Sequence, residues 1–447
     1  MRASVAAEKA GIPTTSFIIR SFVPQAKLTA SGEGIQDVRI AEYSGAIQTH
    51  ADSDIDRQIE EYTLDQIIAG LTGTAVEKKA VTSEVNLTES VFKGSFDEVN
   101  EFYYRRGWTD GLPIVPPTRE KVEQFLRYTS LPRDEEIAVL PLANQRATPW
   151  TIAVNAAMAG CRPEYMPVLI SAVEAMKEPQ FRLRDHGNSC GCRPYLLVNG
   201  PITKQLDLYS GTGLMSPGAR NIGSTAAANP NTTIGRALHL IVQNIAGFRP
   251  AISEMSVFGH QQSFVLAEDE AESPWEPYHV EHGFDKRLST VTAMAWMGMI
   301  GQEGLSQGNK ADLHLQYLGD ELAHGMAPVY FSFGTHAMIT ILIAPPIAKV
   351  LAANGYTKQA VKEHIFEKSR MTIREINKRL EPVYLTVHDY VVKGSTPESF
   401  DLGPDETIPA VLSPNLIDIV VCGSRERNRS LILFSFYANP VIKEIKI

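Results

Sequence analysis

The 447-residue chain has only four cysteines and no long run of apolar residues. So few cysteines cannot form the disulfide framework of a small secreted protein. No stretch approaches the ~18 apolar residues that a transmembrane helix requires. Charged residues soon after Met1 interrupt the place where a signal peptide has its apolar core. We therefore expect a cytoplasmic protein that does not enter a membrane.

Clusters of basic residues are also absent. The 42 basic and 51 acidic side chains give a formal net charge of -9, and no basic stripe marks a nucleic-acid-binding face. Hydrophobic residues make up 44% of the chain, as in globular proteins with large cores. The expected partner is therefore a small-molecule substrate and not a nucleic acid, while a homo-oligomer or a partner subunit stays open.

Two of the four cysteines lie one residue apart, at Cys190 and Cys192, shortly after His186. Thiolates are strong nucleophiles, an imidazole can accept a thiol proton, and a guanidinium such as that of Arg193 can stabilise the anion. The flanking residues are polar or glycine, which predicts an exposed loop. Our main hypothesis is a thiol-dependent enzyme, an oxidoreductase or covalent catalyst. In it one cysteine is the nucleophile, His186 is the base and Arg193 stabilises the thiolate.

Two other interpretations of this segment stay open. A metal-dependent lyase or hydrolase would need a further ligand beside His186 and the cysteines, for which His279 or His282 is available. Alternatively, the cysteines are small buried hydrophobic residues without a chemical role. The acidic run at residues 268–283, which holds both of those histidines, is typical of a solvated loop.

A second candidate site follows the glycine-rich run at residues 211–218. Asn231 or Thr232 could cap the next helix, and Arg236 would lie in its first turn. Free N–H groups at a helix start can bind an anion, so we predict cofactor binding by these three residues. The pattern is neither a P-loop nor a dinucleotide fingerprint; a plain loop remains open and the cofactor is unknown. Trp108 and Asp110 are candidates for lining a pocket.

Helical and strand-like segments alternate, which predicts the α/β class. We expect a small, truncated α/β module at residues 1–72, a polar linker at 73–95, and a large mixed α/β domain at 96–447, with two lobes as an option. Helices are predicted at 3–10, 25–32, 55–71, 96–106, 118–128, 149–159, 163–176, 232–245, 346–354 and 357–369. Strands are predicted at 14–23, 38–40, 195–199 and 416–422, with two β-rich runs within 329–344.

Residues 2–72 resemble the later part of the domain of the UGSC family, named for a selenocysteine (or cysteine)-Gly-Ser-Cys motif. The resemblance rests on Ala-Ser-Val at residues 3–5, Glu-Lys-Ala-Gly-Ile-Pro-Thr-Thr at 8–15, and Val38 to Ile40. From about residue 97 the chain resembles the long α/β domain often fused to it, through runs such as Gly-Trp-Thr-Asp-Gly-Leu-Pro at 107–113 and Ala-Gly-Cys-Arg-Pro-Glu-Tyr at 159–165.

The resemblance implies a small α/β redox module whose motif precedes its first helix. This chain starts after that point, so no residue here takes the roles of the motif. A non-catalytic subunit that needs a partner carrying the missing module is therefore a third hypothesis.

Overall fold

The computed structural model describes residues 1–73, 89–187, 191–221, 229–250, 252–259, 263–302, 310–333, 338–381, 385–435 and 438–446. The chain divides into two compact units, each built from separate stretches. Unit 1 comprises Met1–Met166, Leu183–Gly191 and Ala237–Gln261. Unit 2 comprises Pro167–Arg182, Cys192–Arg236 and Gln262–Ile447. Because this division cuts the chain differently from the predicted one, the boundaries at residues 72 and 96 stay predictions.

The described helices are α1 Arg2–Lys9, α2 Val23–Gly32, α3 Asp52–Gln58, α4 Leu64–Thr72, α5 Phe96–Arg105, α6 Arg119–Leu126, α7 Pro149–Met158, α8 Met166–Met176, α9 Ile202–Gln205, α10 Pro230–Asn244, α11 Tyr278–Glu281, α12 Ala311–Phe333, α13 Pro345–Ala353, α14 Lys358–Lys368, α15 Ile373–Leu380 and α16 Val387–Val392. Among them, none combines the length and the apolar character that crossing a membrane demands.

The described strands are β1 Ser16–Ile19, β2 Ile40–Tyr43, β3 Ala138–Leu140, β4 Gln145–Ala147, β5 Arg193–Asn199, β6 Val265–Ala267, β7 Thr290–Trp296, β8 Gly298–Gln302, β9 Met338–Ile343, β10 Arg370–Thr372, β11 Thr407–Pro409, β12 Ile417–Val421, β13 Ser430–Ser435 and β14 Val441–Glu444. Helices and strands are mixed along the chain, which confirms the α/β class.

Unit 1 begins with the parallel pair β1 and β2, with helices α1 and α2 beside it. A small core of Val5, Ala30, Ile35 and Val38 fills the space between them. Helix α2 contacts later parts of the same unit: Gln25 donates a hydrogen bond to the Gly187 carbonyl at 2.8 Å, and Asn144 donates one to the Gly32 carbonyl at 3.0 Å. The first 73 residues therefore pack against the rest of unit 1.

Unit 2 contains two four-stranded sheets within the described ranges, in the orders β14-β7-β5-β6 and β12-β9-β13-β8. In each sheet one pair is parallel, β5 with β6 and β9 with β12, and the other pairs are antiparallel. Tyr195 and Leu197 of β5 share a core with Val420 of β12 and Leu433 of β13, so the two sheets face each other.

Side-chain alternation on β12 separates two layers. Ile417, Ile419 and Val421 pack into a core that includes residues of α12, α13, α14 and α15. Val420 and Cys422 point the opposite way, into the layer between the sheets. Asp418 has the same parity as Val420, so a carboxyl group belongs to the face that packs between the sheets.

Most predicted elements are confirmed, with end points shifted by a few residues. Strand β5 starts at Arg193, two residues earlier than predicted, and β12 matches the predicted late strand. Thr118 caps α6 as expected, by accepting a hydrogen bond from the Lys121 N–H. The first of the two β-rich runs within residues 329–344 is wrong, because residues 329–333 form the end of α12; β9 is the second run.

Candidate functional site

The Cys-x-Cys segment meets the start of β5. Cys190 lies outside the described residues. Cys192 lies directly before β5 and is only 2% exposed, and its sulfur lies 3.5 Å from the Ser435 hydroxyl oxygen. The predicted exposure is therefore wrong for Cys192: the chain enters a fully buried strand here, although the neighbouring residues are polar.

The predicted base and anion-stabilising group of this segment are also buried. His186 belongs to unit 1, whereas Cys192 and Arg193 belong to unit 2. Arg193 is the first residue of β5 and pairs in register with Trp296 of β7. Arg193 therefore does not offer an exposed guanidinium to a thiolate. The catalytic roles of His186, Cys190, Cys192 and Arg193 stay predictions.

The second predicted site has a different helix cap from the expected one. Asn229 accepts a hydrogen bond from the Thr232 N–H through its side chain, at 3.0 Å. Asn231 instead ties Tyr209 and Val265 together, accepting from the Tyr209 N–H and donating to both carbonyls. The prediction that Asn231 or Thr232 is the cap is therefore wrong. Cofactor binding by Asn231, Thr232 and Arg236 remains untested.

The acidic run at 268–283 is only partly the solvated loop that its composition indicates: residues 271, 274, 276 and 281–283 are exposed, but residues 268, 269 and 277–279 are buried. Glu268 directly follows β6 and is buried, beside the end of the parallel strand β5. Its carboxylate accepts hydrogen bonds from Asn199 at 2.6 Å and from the Tyr278 N–H at 2.7 Å. The carboxyl ends of two adjacent parallel strands thus bring a carboxylate and an amide together.

Two buried lysines of α14 complete this cluster. The Lys358 ammonium lies 3.4 Å from both Glu268 and Glu281, and Lys362 also pairs with Glu281. Burial raises the pKa of Glu268, although Lys358 opposes the shift. Burial also acts to raise the pKa of Glu281, but Lys362 and Lys358 outweigh it and the pKa is lowered. Glu268 therefore holds a proton more tightly than Glu281 does. Two carboxyl groups whose pKa values differ in this way can take the roles of acid and base.

The two histidines of the acidic run lie on or next to α11 in the same unit. His279 is buried with Nδ1 3.9 Å from Glu270, and burial lowers its pKa. His282 lies 3.9 Å from Asp418, a carboxyl group whose pKa burial raises. Across the described ranges, no group of three His, Cys, Asp or Glu side chains is arranged to hold a metal ion.

Unit 1 contains a cavity of about 970 Å³, which we call the aromatic cavity. Its walls come from the segment before α5, from α5, the start of α6, α7 and the end of α10. The aromatic residues that line it are Phe92, Phe96, Tyr103, Trp108 and Trp150. Capping boxes at Ser95 and Thr148 fix the starts of α5 and α7.

Polar groups interrupt the apolar lining of the cavity. Asn244 donates hydrogen bonds to the Trp108 carbonyl at 3.1 Å and to Asn155 at 2.9 Å. The Asn244 side-chain oxygen is buried and accepts no hydrogen bond within the described ranges. Arg249, a half-buried residue, also lines the cavity. The lining therefore combines aromatic faces with three cations (Lys93, Arg119 and Arg249), two carboxylates (Glu89 and Glu120) and side-chain amides.

The sequence pointed to one wall of this cavity only. Trp108 lines it as expected, but Asp110 is not among the lining residues. Trp150, Asn244 and Arg249 were missed, because they are separated from Trp108 by up to about 140 residues of sequence and carry no motif. The glycine- and proline-rich run at residues 107–117 predicts a rigid loop at this wall, but it does not indicate which helices pack against that loop.

Residues 1–73 match the model of the UGSC family. This part of the chain is a UGSC-like domain. The match covers 73 of 447 residues, so the resemblance of the later chain to the long fused domain stays a prediction. No curated protein matches the chain. The UGSC-like domain contributes none of the lining of the aromatic cavity, which starts at Glu89.

Proposed function

We propose that this protein is an enzyme acting on a small organic molecule and that the molecule binds in the aromatic cavity. The carrying observation is the cavity itself, which has a volume of about 970 Å³ in unit 1 and is lined by five aromatic side chains. Binding sites for small molecules are concave, largely apolar, and furnished with a few convergent polar groups. Asn244, Asn155 and Arg249 supply such groups here.

Filling the cavity tests this proposal. Val154 lies on α7 and lines the cavity, so Val154→Trp adds a ring where the ligand would lie. Fragments with an aromatic ring, screened against the full chain by saturation-transfer NMR, are expected to include binders that lose their signal with this variant.

The matched control is Val392→Trp, which adds the same ring at an exposed position of α16. It should leave binding unchanged. Fragments that bind Val154→Trp as well as the unaltered chain, or a screen without any binder, would contradict the proposal.

Thiol-dependent chemistry is a second proposal for the reaction. Its support is that the Cys192 sulfur lies 3.5 Å from the Ser435 hydroxyl oxygen, directly before a strand; the burial of Cys192 counts against easy access. Replacing Cys190 and Cys192 by serine, singly and together, should abolish turnover of whatever substrate the screen identifies. Unchanged turnover in the double variant would eliminate this chemistry. The metal-dependent and partner-subunit alternatives gain no support from the described residues.

A further inference from the structure

We propose that the ligand of the aromatic cavity is a planar aromatic carboxylate. This inference rests on the proposed function, because it assigns a chemical class to the molecule bound there. Two features of the lining, both in unit 1, define that class.

The first feature is the charge on Arg249. Its backbone N–H is hydrogen bonded to the Gly247 carbonyl and the Ser253 hydroxyl. Its guanidinium makes no ion pair, hydrogen bond or ring contact in the part of the chain that the structure describes. Two other arginines of unit 1, Arg39 and Arg105, instead pair with the carboxylates of Glu8 and Glu101. A planar guanidinium left for a ligand matches a carboxylate through two parallel hydrogen bonds.

The second feature is the arrangement of rings. Tyr103 and Trp108 form an edge-to-face pair with their centroids 5.4 Å apart, and both line the cavity. Trp150 lines it from α7. Rings held in this way offer faces and edges to a further aromatic ring, which gains more than the burial of its apolar area alone. A flat aromatic body therefore fits the walls better than a flexible polar chain.

Two probes test this class: 4-hydroxycinnamate and its neutral amide. Binding to the full chain is measured by calorimetry or ligand-observed NMR. The acid is expected to bind at least about tenfold more tightly than the amide. Arg249→Gln should remove the preference for the acid over the amide, whereas Arg249→Lys should retain part of it.

The control is Arg127→Gln, which removes the same charge from an exposed residue of unit 1 and should leave the preference intact. Equal binding of acid and amide, blocked by Val154→Trp, would overturn the ligand class while the cavity function stands. An Arg249→Gln chain that keeps the full preference would overturn the role of Arg249. No binding of any probe, or binding that Val154→Trp does not affect, would overturn both proposals.

Discussion

At the scale of single residues, burial of a side chain affects its proton affinity and accessibility more than its residue type does. Glu268 and its partners Asn199 and Lys358 are 69 and 90 residues apart in sequence, so nothing local indicates that this carboxyl group is buried. Composition predicts a solvated loop there, and composition likewise predicts exposure for Cys192. In both places the side chain follows or precedes a buried strand, and the strand determines its environment.

His314 provides a pH test at this scale. It lies on α12, is fully buried, and its Nε2 is 2.9 Å from the Ser430 hydroxyl. Burial lowers its pKa from 6.5 to about 4. Between these values the unfolded chain binds the proton and the folded chain does not, so stability is complete above about pH 6.5 and decreases as the pH falls towards 4. Between pH 7 and 5, burial of His314 is expected to lower the free energy of unfolding by about 2 kcal/mol.

His314→Gln should therefore flatten the dependence of the unfolding temperature on pH between 7 and 5. The control is His324→Gln, because His324 is an exposed residue of the same helix. Parallel pH curves for the unaltered chain and His314→Gln would show that burial of this imidazole does not govern acid stability.

At the scale of elements, the caps and periodicity of a helix are local and could be predicted. Thr118 before α6, Pro149 at the start of α7, and Thr357 before α14 each mark a helix start that the structure contains. The strand predicted at residues 329–333 is wrong because the strand preference of β-branched and aromatic residues is weak and depends on tertiary packing. Residues 329–333 continue a 23-residue helix. Strands such as β7 and β13 were missed, since their partners lie far away in sequence.

Helix α2 offers a test in which packing opposes helix propensity. A Cβ at Gly32 would lie 2.5 Å from the Leu142 carbonyl oxygen and 3.1 Å from the carbonyl carbon of Ala143. These are backbone atoms that cannot rotate away. Gly32→Ala should therefore destabilise unit 1 by about 1–3 kcal/mol, although alanine favours a helix over glycine by about 1 kcal/mol.

Hydrogen exchange of the α2 amides measures the effect, with Ser31→Ala in the same helix as the control. Ser31→Ala raises helix propensity without approaching the Leu142 carbonyl. The α2 amides of this variant should therefore exchange no faster than those of the unaltered chain. Slower exchange in Gly32→Ala than in the unaltered chain would mean that helix propensity outweighs the close contact.

At the scale of the whole molecule, the sequence predicts the α/β class but not the way in which the chain is divided. The predicted boundaries follow changes in composition near residues 72 and 96. The compact units instead exchange chain segments: unit 1 takes Leu183–Gly191 and Ala237–Gln261 from the middle of the sequence. Such exchanges depend on tertiary packing, for example that of Gln243 against the carbonyls of Gly107 and Thr109, which no local pattern indicates.

The discontinuous make-up of unit 1 has a consequence for synthesis on the ribosome. Domains generally fold in order of translation, starting from the N-terminus. The last segment of unit 1 ends at Gln261, so the UGSC-like domain emerges long before the stretches it packs against. More than half of the polypeptide, up to Arg249, must leave the exit tunnel before the aromatic cavity can form, and a nascent chain arrested earlier has no such cavity.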